Sequence, residues 1–444
     1  MATDFLALVD QIKSQYQQDD RPWIVGFSGG KDSTAVLQLV FQALIELPRQ
    51  MRVKPVHVVS NDTLVEIPQV AATVLDSLNK IEVAAKRLEL PISVALTRPE
   101  VEDTFFVSLI GRGYPSPNSH FRWCTERMKI DPTSRYIKQV VDEHGEVVIL
   151  LGARKAESAT RAQALANRVI EGSILRRHST LPRCLVYTPI EEWVTQEVWA
   201  YLLAVPSLWG GDNRALFQLY SRADGGECPM VIDTTTPSCG NSRFGCWVCT
   251  VVERDKSMEG FIESGEERLE PLLEFRNFLK QVRARRDWRE KVRKNGQLWN
   301  QKGEEVWGPF TLEARKEILR RLLEAEKQVG FQLISLDELL LIQKLWQQGG
   351  RSYEGVQADT LFSVARIVNK QRGVIMNTGL NELNRLREME EEVAREKSID
   401  AETLRRMVAK MEEYSETHRA HGLPDDVLNI LKDDLENQAA GVRK

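Results

Sequence analysis

The stretch Phe27-Ser28-Gly29-Gly30-Lys31-Asp32-Ser33 decides the fold of this chain. It follows the apolar run Trp23–Val25 and precedes the helical pattern Thr34–Leu47, so a glycine-rich turn joins a strand to a helix. Successive backbone N–H groups, two hydroxyls and the positive end of a helix dipole converge in such a turn, where they bind an anion. We therefore expect a nucleotide phosphate to contact Ser28, Gly29, Gly30, Lys31, Asp32 and Ser33. The spacing of a Walker A loop is absent, which excludes that class of site.

Further strands and helices alternate after this turn. Apolar runs at Val56–Ser60, Ile92–Leu96 and Val147–Leu151 are typical of strands, and a helical repeat of apolar residues from Val70 to Leu88 separates the first two. Strands that alternate with helices predict a parallel sheet, whose ligands gather at the carboxyl ends of the strands. The predicted fold class of the first half is therefore α/β, with a doubly wound parallel sheet.

The second half of the chain has a different character. From about residue 251 the strand pattern disappears, and charged segments carry apolar residues at helical spacing, as at Ile318 and Leu322. We predict a mainly α-helical C-terminal region. The predicted divisions are an N-terminal helix at 1–20, the α/β domain at 21–227, a cysteine-rich segment at 228–255 and the helical region at 256–444.

Length and charge limit the classes of function. The 444 residues accommodate two or three domains, each with its own core. A net charge of −4 and a pI near 6.0 argue against a uniformly basic surface, so any polyanion must meet a local patch. No apolar run approaches the ~20 residues that span a bilayer, and Met1–Phe5 lacks the basic region of a signal peptide. We expect a cytoplasmic protein without membrane contact.

A second carboxylate is predicted at the same edge of the sheet as Asp32. Asp62 directly follows the second predicted strand. Two carboxylates near a triphosphate can hold Mg²⁺, which keeps a shell of oxygen and water ligands. For Asp32 we favour a role in holding the metal ion or ordering the phosphates. Asp62 is predicted either as a further ligand or as a turn-forming residue.

Three further motifs follow in order. They are Arg122-Trp123-Cys124-Thr125, the stretch Gly152-Ala153-Arg154-Lys155-Ala156-Glu157-Ser158-Ala159-Thr160-Arg161, and Pro189-Ile190 with Trp193. Guanidinium groups donate in pairs to tetrahedral anions, so Arg154 and Arg161 are candidate anion contacts, with ion pairs as the alternative.

Over about residues 20–250, these motifs and the loop resemble the phosphoadenosine phosphosulfate (PAPS) reductase branch of the PP-loop ATP pyrophosphatases. The resemblance implies an adenine nucleotide α-hydrolase-like fold and cleavage of ATP between its α and β phosphates. It also implies ATP and Mg²⁺ as cofactors. The catalytic residues we predict with it are Lys31, Asp32, Arg154, Arg161 and Cys124.

The cysteines give the second strong signal. Cys228, Cys239, Cys246 and Cys249 form the pattern C-x10-C-x6-C-x2-C. In a cytosolic chain such a group indicates metal ligands rather than disulfides. Four thiolates can hold zinc or a [4Fe–4S] cluster, and structural zinc usually takes two tight C-x2-C turns, whereas this set has one. We favour an iron–sulfur cluster. Thiols that hold no metal are the remaining alternative.

Two cysteines lie outside this pattern. Cys124 lies beside Arg122 and Lys129 and, if exposed there, is a candidate persulfide carrier, with a small buried hydrophobe as the alternative. Cys184 lies next to the apolar pair Leu185-Val186, and we assign it to packing.

One stretch of the helical region is strongly basic. Between residues 276 and 302 it contains Arg276, Lys280, Arg283, Arg285, Arg286, Arg289, Lys291, Arg293, Lys294 and Lys302, interleaved with Trp288 and Trp299. Basic side chains with aromatic neighbours can bind a phosphate backbone and stack on bases. A solvated helix face or a surface for a protein partner explains the same composition.

The order of these motifs, with the four cysteines after the reductase-like part, is similar to the DndC-type sulfurtransferases of bacterial DNA phosphorothioation. The resemblance implies an ATP pyrophosphatase with a [4Fe–4S] cluster that replaces a non-bridging oxygen of the DNA backbone by sulfur. Its implied partners are DNA, a cysteine desulfurase as sulfur donor and other DNA-phosphorothioation proteins.

Three alternatives stay open. A nucleotide-sulfate (PAPS or APS) reductase requires a mobile redox cysteine near its C-terminus, and no cysteine follows Cys249 here. A PP-loop tRNA thiolase uses similar chemistry on a base. A non-catalytic iron–sulfur protein that binds nucleic acid is the least favoured of the three.

Overall fold

The computed structural model describes residues 5–223, 245–293, 305 and 307–349. These residues lie within one compact unit, Met1–Ile367. None of the helices in the described ranges is long and apolar enough to cross a membrane.

The described residues form a six-stranded sheet. Its strands are β1 (Trp23–Gly26), β2 (Val56–Asn61), β3 (Ile92–Thr97), β4 (Val147–Leu150), β5 (Arg176–Arg177) and β6 (Cys184–Tyr187). The order across the sheet is β3-β2-β1-β4-β6-β5, and every pair is parallel except β5 with β6. The predicted doubly wound parallel sheet is confirmed. The sequence pattern did not predict β5 or β6.

Twelve α-helices are described. They are α1 (Phe5–Gln17), α2 (Lys31–Glu46), α3 (Pro68–Arg87), α4 (Trp123–Thr125), α5 (Asp131–His144), α6 (Ala159–Ala166), α7 (Thr195–Ala204), α8 (Asn213–Ala223), α9 (Lys256–Glu263), α10 (Glu270–Arg283), α11 (Leu312–Val329) and α12 (Leu336–Gly349). Two π-helical turns, Val107–Gly111 and Glu126–Ile130, interrupt the connections between β3 and α5.

The order of the strands reverses direction at β1. The chain runs outward from β1 through β2 to β3, and then returns to place β4 on the other side of β1. The loops after β1 and β4 therefore leave the carboxyl edge of the sheet in different directions and open a crevice between them. In sheets of this kind, ligands bind at that position, and the Ser28–Ser33 loop begins there.

Helices cover both faces of the sheet, and the central strands are buried. All four residues of β1 and of β4 are buried. Trp23 and Val25 join one core with α1, α2 and α7, whereas Ile24 faces a second core that includes Ile137 of α5. Strands covered on both faces carry uninterrupted apolar runs, which explains why β1 and β4 were visible in the sequence.

The helical C-terminal region is confirmed as far as it is described. Helices α9 to α12 follow the sheet without further named strands in the described ranges. The indole N–H of Trp346 in α12 donates 2.9 Å to the Ile110 carbonyl, in the π-helical turn after β3. This region therefore packs directly on the loops of the α/β part.

Candidate nucleotide site and cysteine segment

Gly29 gives the loop after β1 its shape. Its φ of +74° lies in the left-handed region, and a Cβ at this position would lie 2.6 Å from the side chain of Val74 in α3. Both the backbone conformation and the close approach require glycine. The loop is therefore pressed against α3, and its backbone path is fixed.

The hydroxyl of Ser33 closes the loop from inside. It accepts the backbone N–H of Ser28 at 3.2 Å and donates to the carbonyl of Gly30 at 3.0 Å. The Ser28 hydroxyl oxygen lies 3.1 Å from the Ser33 hydroxyl oxygen. The loop is thus preformed around the start of α2, where backbone amides and the helix dipole favour an anion.

A buried carboxylate connects the nucleotide loop to the loop after β4. Asp32 contacts the ammonium of Lys31 at 2.8 Å and the guanidinium Nε of Arg154 at 2.5 Å. The three side chains are at most 7% exposed. Asp32 therefore orients two cations at the nucleotide loop in this state. Its predicted role toward Mg²⁺ requires at least one of these contacts to open, and it stays a prediction.

Tyr220 of α8 covers the loop, and sequence reasoning did not identify it. Its hydroxyl accepts the backbone N–H of Lys31 at 3.3 Å, and the Lys31 ammonium lies 5.4 Å from the centre of its ring. Tyr220 is buried and packs edge-on against Trp199. A phosphate that needs the Lys31 amide must displace this hydroxyl. Tyr220 belongs to no motif, so nothing in the sequence signalled it.

Gly152 brings the loop after β4 against the nucleotide loop. A Cβ at Gly152 would lie 2.7 Å from the carbonyl carbon of Asp32, 2.9 Å from its oxygen and 3.0 Å from the Ser33 nitrogen. These neighbours are backbone atoms, which cannot rotate away as a side chain does. Glycine in the loop after β4 thus allows the two loops to meet at the crevice.

The polar residues of the Gly152–Arg161 motif organise their own loop. Glu157 accepts the backbone N–H of Arg154 at 2.9 Å and pairs with the guanidinium of Arg161 at 3.2 Å. Ser158 accepts the Arg161 N–H at 3.1 Å and caps α6. Arg154 and Arg161 are therefore both in ion pairs, and direct contact of either with a substrate stays a prediction.

Asp62 forms a turn after β2. Its carboxylate accepts the Leu64 N–H at 2.9 Å and pairs with Arg98 at 2.9 Å. This is the turn-forming geometry that the sequence offered as one of two interpretations. A ligand role for Asp62 requires release from Arg98.

Two of the four predicted metal ligands, Cys246 and Cys249, are described, whereas Cys228 and Cys239 lie outside the described residues. The Cys249 N–H donates to the Cys246 carbonyl at 2.9 Å, so the C-x2-C segment forms a tight turn. Within the described ranges, no group of three or more His, Cys, Asp or Glu side chains is placed to hold a single metal ion.

The loop after β2 holds this turn from one side. The backbone N–H of Trp247 donates a hydrogen bond of 2.9 Å to the Val65 carbonyl, and the Thr63 hydroxyl oxygen lies 3.3 Å from the Cys246 sulfur. Glu66 accepts the Thr63 N–H at 2.9 Å, and burial raises the pKa of the Glu66 carboxyl. The turn is therefore attached to the carboxyl edge of the sheet, next to the strand that precedes the nucleotide loop.

Helix α10 holds the turn from the other side through two arginines. The buried guanidinium of Arg276 donates to the carbonyl of Cys249 at 2.7 Å and of Glu253 at 3.0 Å, and it also contacts the Val252 carbonyl. Arg283 donates to the carbonyl of Thr250 at 3.0 Å. The segment that carries Cys249 thus has its carbonyl groups fixed by α10.

These contacts change the interpretation of the basic stretch. Arg276 and Arg283 were candidates for DNA contact, and the structure shows them bonded to backbone carbonyls. Arg289 donates 2.6 Å to the Gly308 carbonyl, and its burial lowers its pKa to about 10. Lys280 pairs with Glu253. Lys294, Trp299 and Lys302 lie outside the described residues.

Cys124 lies close to the C-x2-C turn, although 122 positions of sequence separate it from Cys246. Cys124, Cys246 and Cys249 line one cavity of about 50 Å³. Cys184 is buried on β6, and burial raises its pKa to about 11, which confirms its assignment to packing.

A cluster of iron and sulfide fits the chemistry of this segment. Thiolates are its usual protein ligands, and Cys246 and Cys249 are held on a rigid turn whose surroundings are largely apolar. These two residues would hold part of the group.

Comparison with known proteins identifies the first half of the chain. The family model described as "Phosphoadenosine phosphosulfate reductase domain" matches residues 22–252. An uncharacterized protein of Methanocaldococcus jannaschii is 26% identical over 242 residues, which cover 54% of this chain and 39% of that protein. The chain thus spans about two fifths of the length of the curated relative it matches.

Solved structures show weak similarity. A PAPS reductase from Candida auris in complex with phosphate is 15% identical, with a TM-score of 0.29 over 47% of this chain and 84% of the other. The U34-tRNA thiolase NcsA from Methanococcus maripaludis, with its [4Fe–4S] cluster, is 10% identical, with a TM-score of 0.29 over 63% of this chain and 79% of the thiolase. Similarity of this size does not identify a shared function.

Proposed function

The chain belongs to the phosphoadenosine phosphosulfate reductase domain family, and from that premise we propose that it is an ATP pyrophosphatase that transfers sulfur to the DNA backbone. Members of the family are enzymes that use nucleotides. The observation that carries the proposal is the preformed Ser28–Ser33 loop at the reversal point of the sheet, with a cysteine turn attached to the same edge. The pattern C-x10-C-x6-C-x2-C favours DNA phosphorothioation within the family.

In the proposed reaction, ATP binds with its phosphates on the loop. A non-bridging oxygen of a DNA phosphate attacks the α-phosphorus, the bond to the β-phosphate breaks, and pyrophosphate leaves. A sulfur nucleophile then attacks the adenylylated DNA phosphate and expels AMP. Backbone amides at the start of α2 and the Lys31 ammonium stabilise the charge of the departing pyrophosphate, so catalysis consists mainly of positioning and electrostatics.

Asp32 is the candidate protein ligand that would hold Mg²⁺, and the ion would supply positive charge to neutralise the phosphates. An iron–sulfur cluster on Cys246 and Cys249 would supply a redox-active, sulfur-rich centre beside the nucleotide loop. Arg276 and Arg283 hold the backbone of the segment that carries these thiols.

The test uses cells that produce the chain together with a cysteine desulfurase and the other DNA-phosphorothioation proteins. Mass spectrometry of digested nucleic acid is expected to find phosphorothioate linkages in DNA. Sulfur in tRNA bases instead would contradict the DNA assignment and support the tRNA thiolase alternative.

Two variants separate the nucleotide loop from the cysteine segment. Lys31→Ala is expected to abolish turnover, because it removes the ammonium that would stabilise the departing pyrophosphate. It is expected to retain iron, because the loop after β2 and helix α10 hold the cysteine turn. Cys246→Ser is expected to lose iron, and Cys184→Ser, which changes a packing cysteine of β6, is the matched control. Unchanged iron content in Cys246→Ser would refute the ligand assignment.

A further inference from the structure

Three thiols surround one small cavity beyond the carboxyl end of β2. Cys124 contributes from α4, and Cys246 and Cys249 contribute from the C-x2-C turn. Most of the lining is apolar, with Phe105 and Met128 among its side chains. The cavity is largely enclosed, so what it holds is shielded from bulk water.

The volume of the cavity limits its occupant. About 50 Å³ is accessible to the centre of a water molecule. Each ordered water requires at least ~10–15 Å³ by this measure, so the cavity holds roughly three to five groups of that size. A nucleotide or a nucleic acid base is too large. A single sulfur atom bonded to one of the thiols fits.

The position of the cavity relates it to the nucleotide loop. The side-chain amide of Asn61, the last residue of β2, donates a hydrogen bond of 2.9 Å to the carbonyl of Met128. Met128 follows Cys124 by four residues. The cysteine turn is bound to the loop that follows the same strand. Because β2 pairs with β1, the cavity and the nucleotide loop lie at the ends of neighbouring strands on one edge of the sheet.

The sequence spacing distinguishes one of the three thiols from the other two. Cys246 and Cys249 belong to the four-cysteine pattern, whereas Cys124 is outside it. Cys124 is half-buried, and Lys129 and Asp255 are the charged residues among those that line the same cavity. Cys124 therefore lies in a mostly apolar, largely enclosed cavity that it shares with the two candidate cluster ligands.

We propose that Cys124 is the sulfur-accepting residue of this chain and carries sulfane sulfur as a persulfide in this cavity. The inference rests on the proposed function, since it names the site where sulfur is held before transfer. The Cys124 thiolate attacks the outer sulfur of a persulfide donor. A bond forms between the Cys124 sulfur and that atom, the sulfur–sulfur bond of the donor breaks, and the donor leaves as a thiolate. The exchange involves no net oxidation or reduction.

The experiment uses the full chain, purified without oxygen and treated with glutathione persulfide as a donor of defined chemistry. Alkylation and peptide mass analysis then locate the added sulfur. The expected result is one added sulfur on the peptide that contains Cys124. Cys124→Ser is expected to lose this uptake and keep its iron, and Cys184→Ser is expected to retain both.

Two results would overturn the proposal. Unmodified Cys124 in the wild-type chain, with sulfur on other cysteines or on none, removes its basis directly and does not depend on how any variant folds. Loss of iron from Cys124→Ser, to the extent seen in Cys246→Ser, would make Cys124 a cluster ligand instead. Wild-type protein that gains sulfur on Cys124 but releases no pyrophosphate from ATP would refute the proposed function alone.

Discussion

Substitution of Gly152 by alanine tests the contact between the loops after β1 and β4. The new Cβ would lie 2.7 Å from the carbonyl carbon of Asp32 and 3.0 Å from the Ser33 nitrogen, so the nucleotide loop must move. Overpacking of this kind costs ~1–3 kcal/mol. If that free energy opposes the nucleotide-bound form of the loop, the Kd for ATP rises by roughly 5- to 150-fold.

The assay is isothermal titration calorimetry with a non-hydrolysable ATP analogue and Mg²⁺, alongside thermal unfolding. Gly172→Ala is the matched control, because Gly172 has a φ of +72° and nothing within 4 Å of its added Cβ. The control is expected to lose ~1–2 kcal/mol of stability from left-handed strain and to keep its affinity. Wild-type affinity in Gly152→Ala would refute the placement of the nucleotide on this loop.

Three further predictions concern the residues around the two sites. Tyr220→Phe removes the hydroxyl that accepts a hydrogen bond from the Lys31 backbone N–H, so this amide becomes available to a phosphate. The nucleotide should then bind more tightly by about 1 kcal/mol in the same titration. Weaker binding would show that the hydroxyl contacts the nucleotide instead. Arg276→Gln removes buried donors from the carbonyl groups of the cysteine segment, and we expect its free energy of unfolding in urea to fall by ~1–3 kcal/mol. We also expect it to lose iron to a chelator faster than the control Lys280→Gln does. Equal rates of iron loss in the two variants would contradict the role assigned to Arg276. Hydrogen bonds from Arg320 lower the pKa of Glu317 to about 2, so its carboxylate stabilises the fold above the ordinary pKa of 4.5, and this contribution is lost as the pH falls from about 4.5 to about 2. Because the pair is partly exposed, Glu317→Gln should lower the free energy of unfolding in urea by only ~0.3–1 kcal/mol at neutral pH and make it fall less steeply in acid. An equal loss of stability in acid for the variant and the wild type would contradict this.

The elements around the nucleotide loop could be predicted because their signals are local. The apolar run of β1, the glycines of the loop and the start of α2 follow one another within a few residues. The predicted runs at Val56–Ser60 and Ile92–Leu96 match β2 and β3 to within a residue. Buried parallel strands need uninterrupted apolar residues, and this requirement is visible in a single sequence.

The partners of individual polar side chains could not be predicted in the same way. A buried arginine and a solvated one look identical in a basic stretch, so nothing marked Arg276 as a donor to the Cys249 carbonyl. Tyr220 covers the Lys31 amide across 189 positions of sequence. Such contacts depend on how distant elements pack, and neither spacing nor composition reports them.

There is a physical reason why β5 and β6 could not be predicted from the sequence. β5 consists of Arg176 and Arg177 only, at the edge of the sheet. An edge strand of two charged residues has no apolar pattern, and charge is a common means of protecting an edge from further pairing. β6 carries a short apolar run that the sequence analysis assigned to packing around Cys184.

The products formed from ATP test the central claim most directly. Purified protein with Mg²⁺, DNA, the sulfur donor and the partner proteins is incubated with ATP labelled at the α-phosphate, and the nucleotide products are separated. Cleavage at the inner anhydride bond predicts AMP and pyrophosphate from the wild-type protein and neither from Lys31→Ala. Formation of ADP and orthophosphate instead would contradict the account.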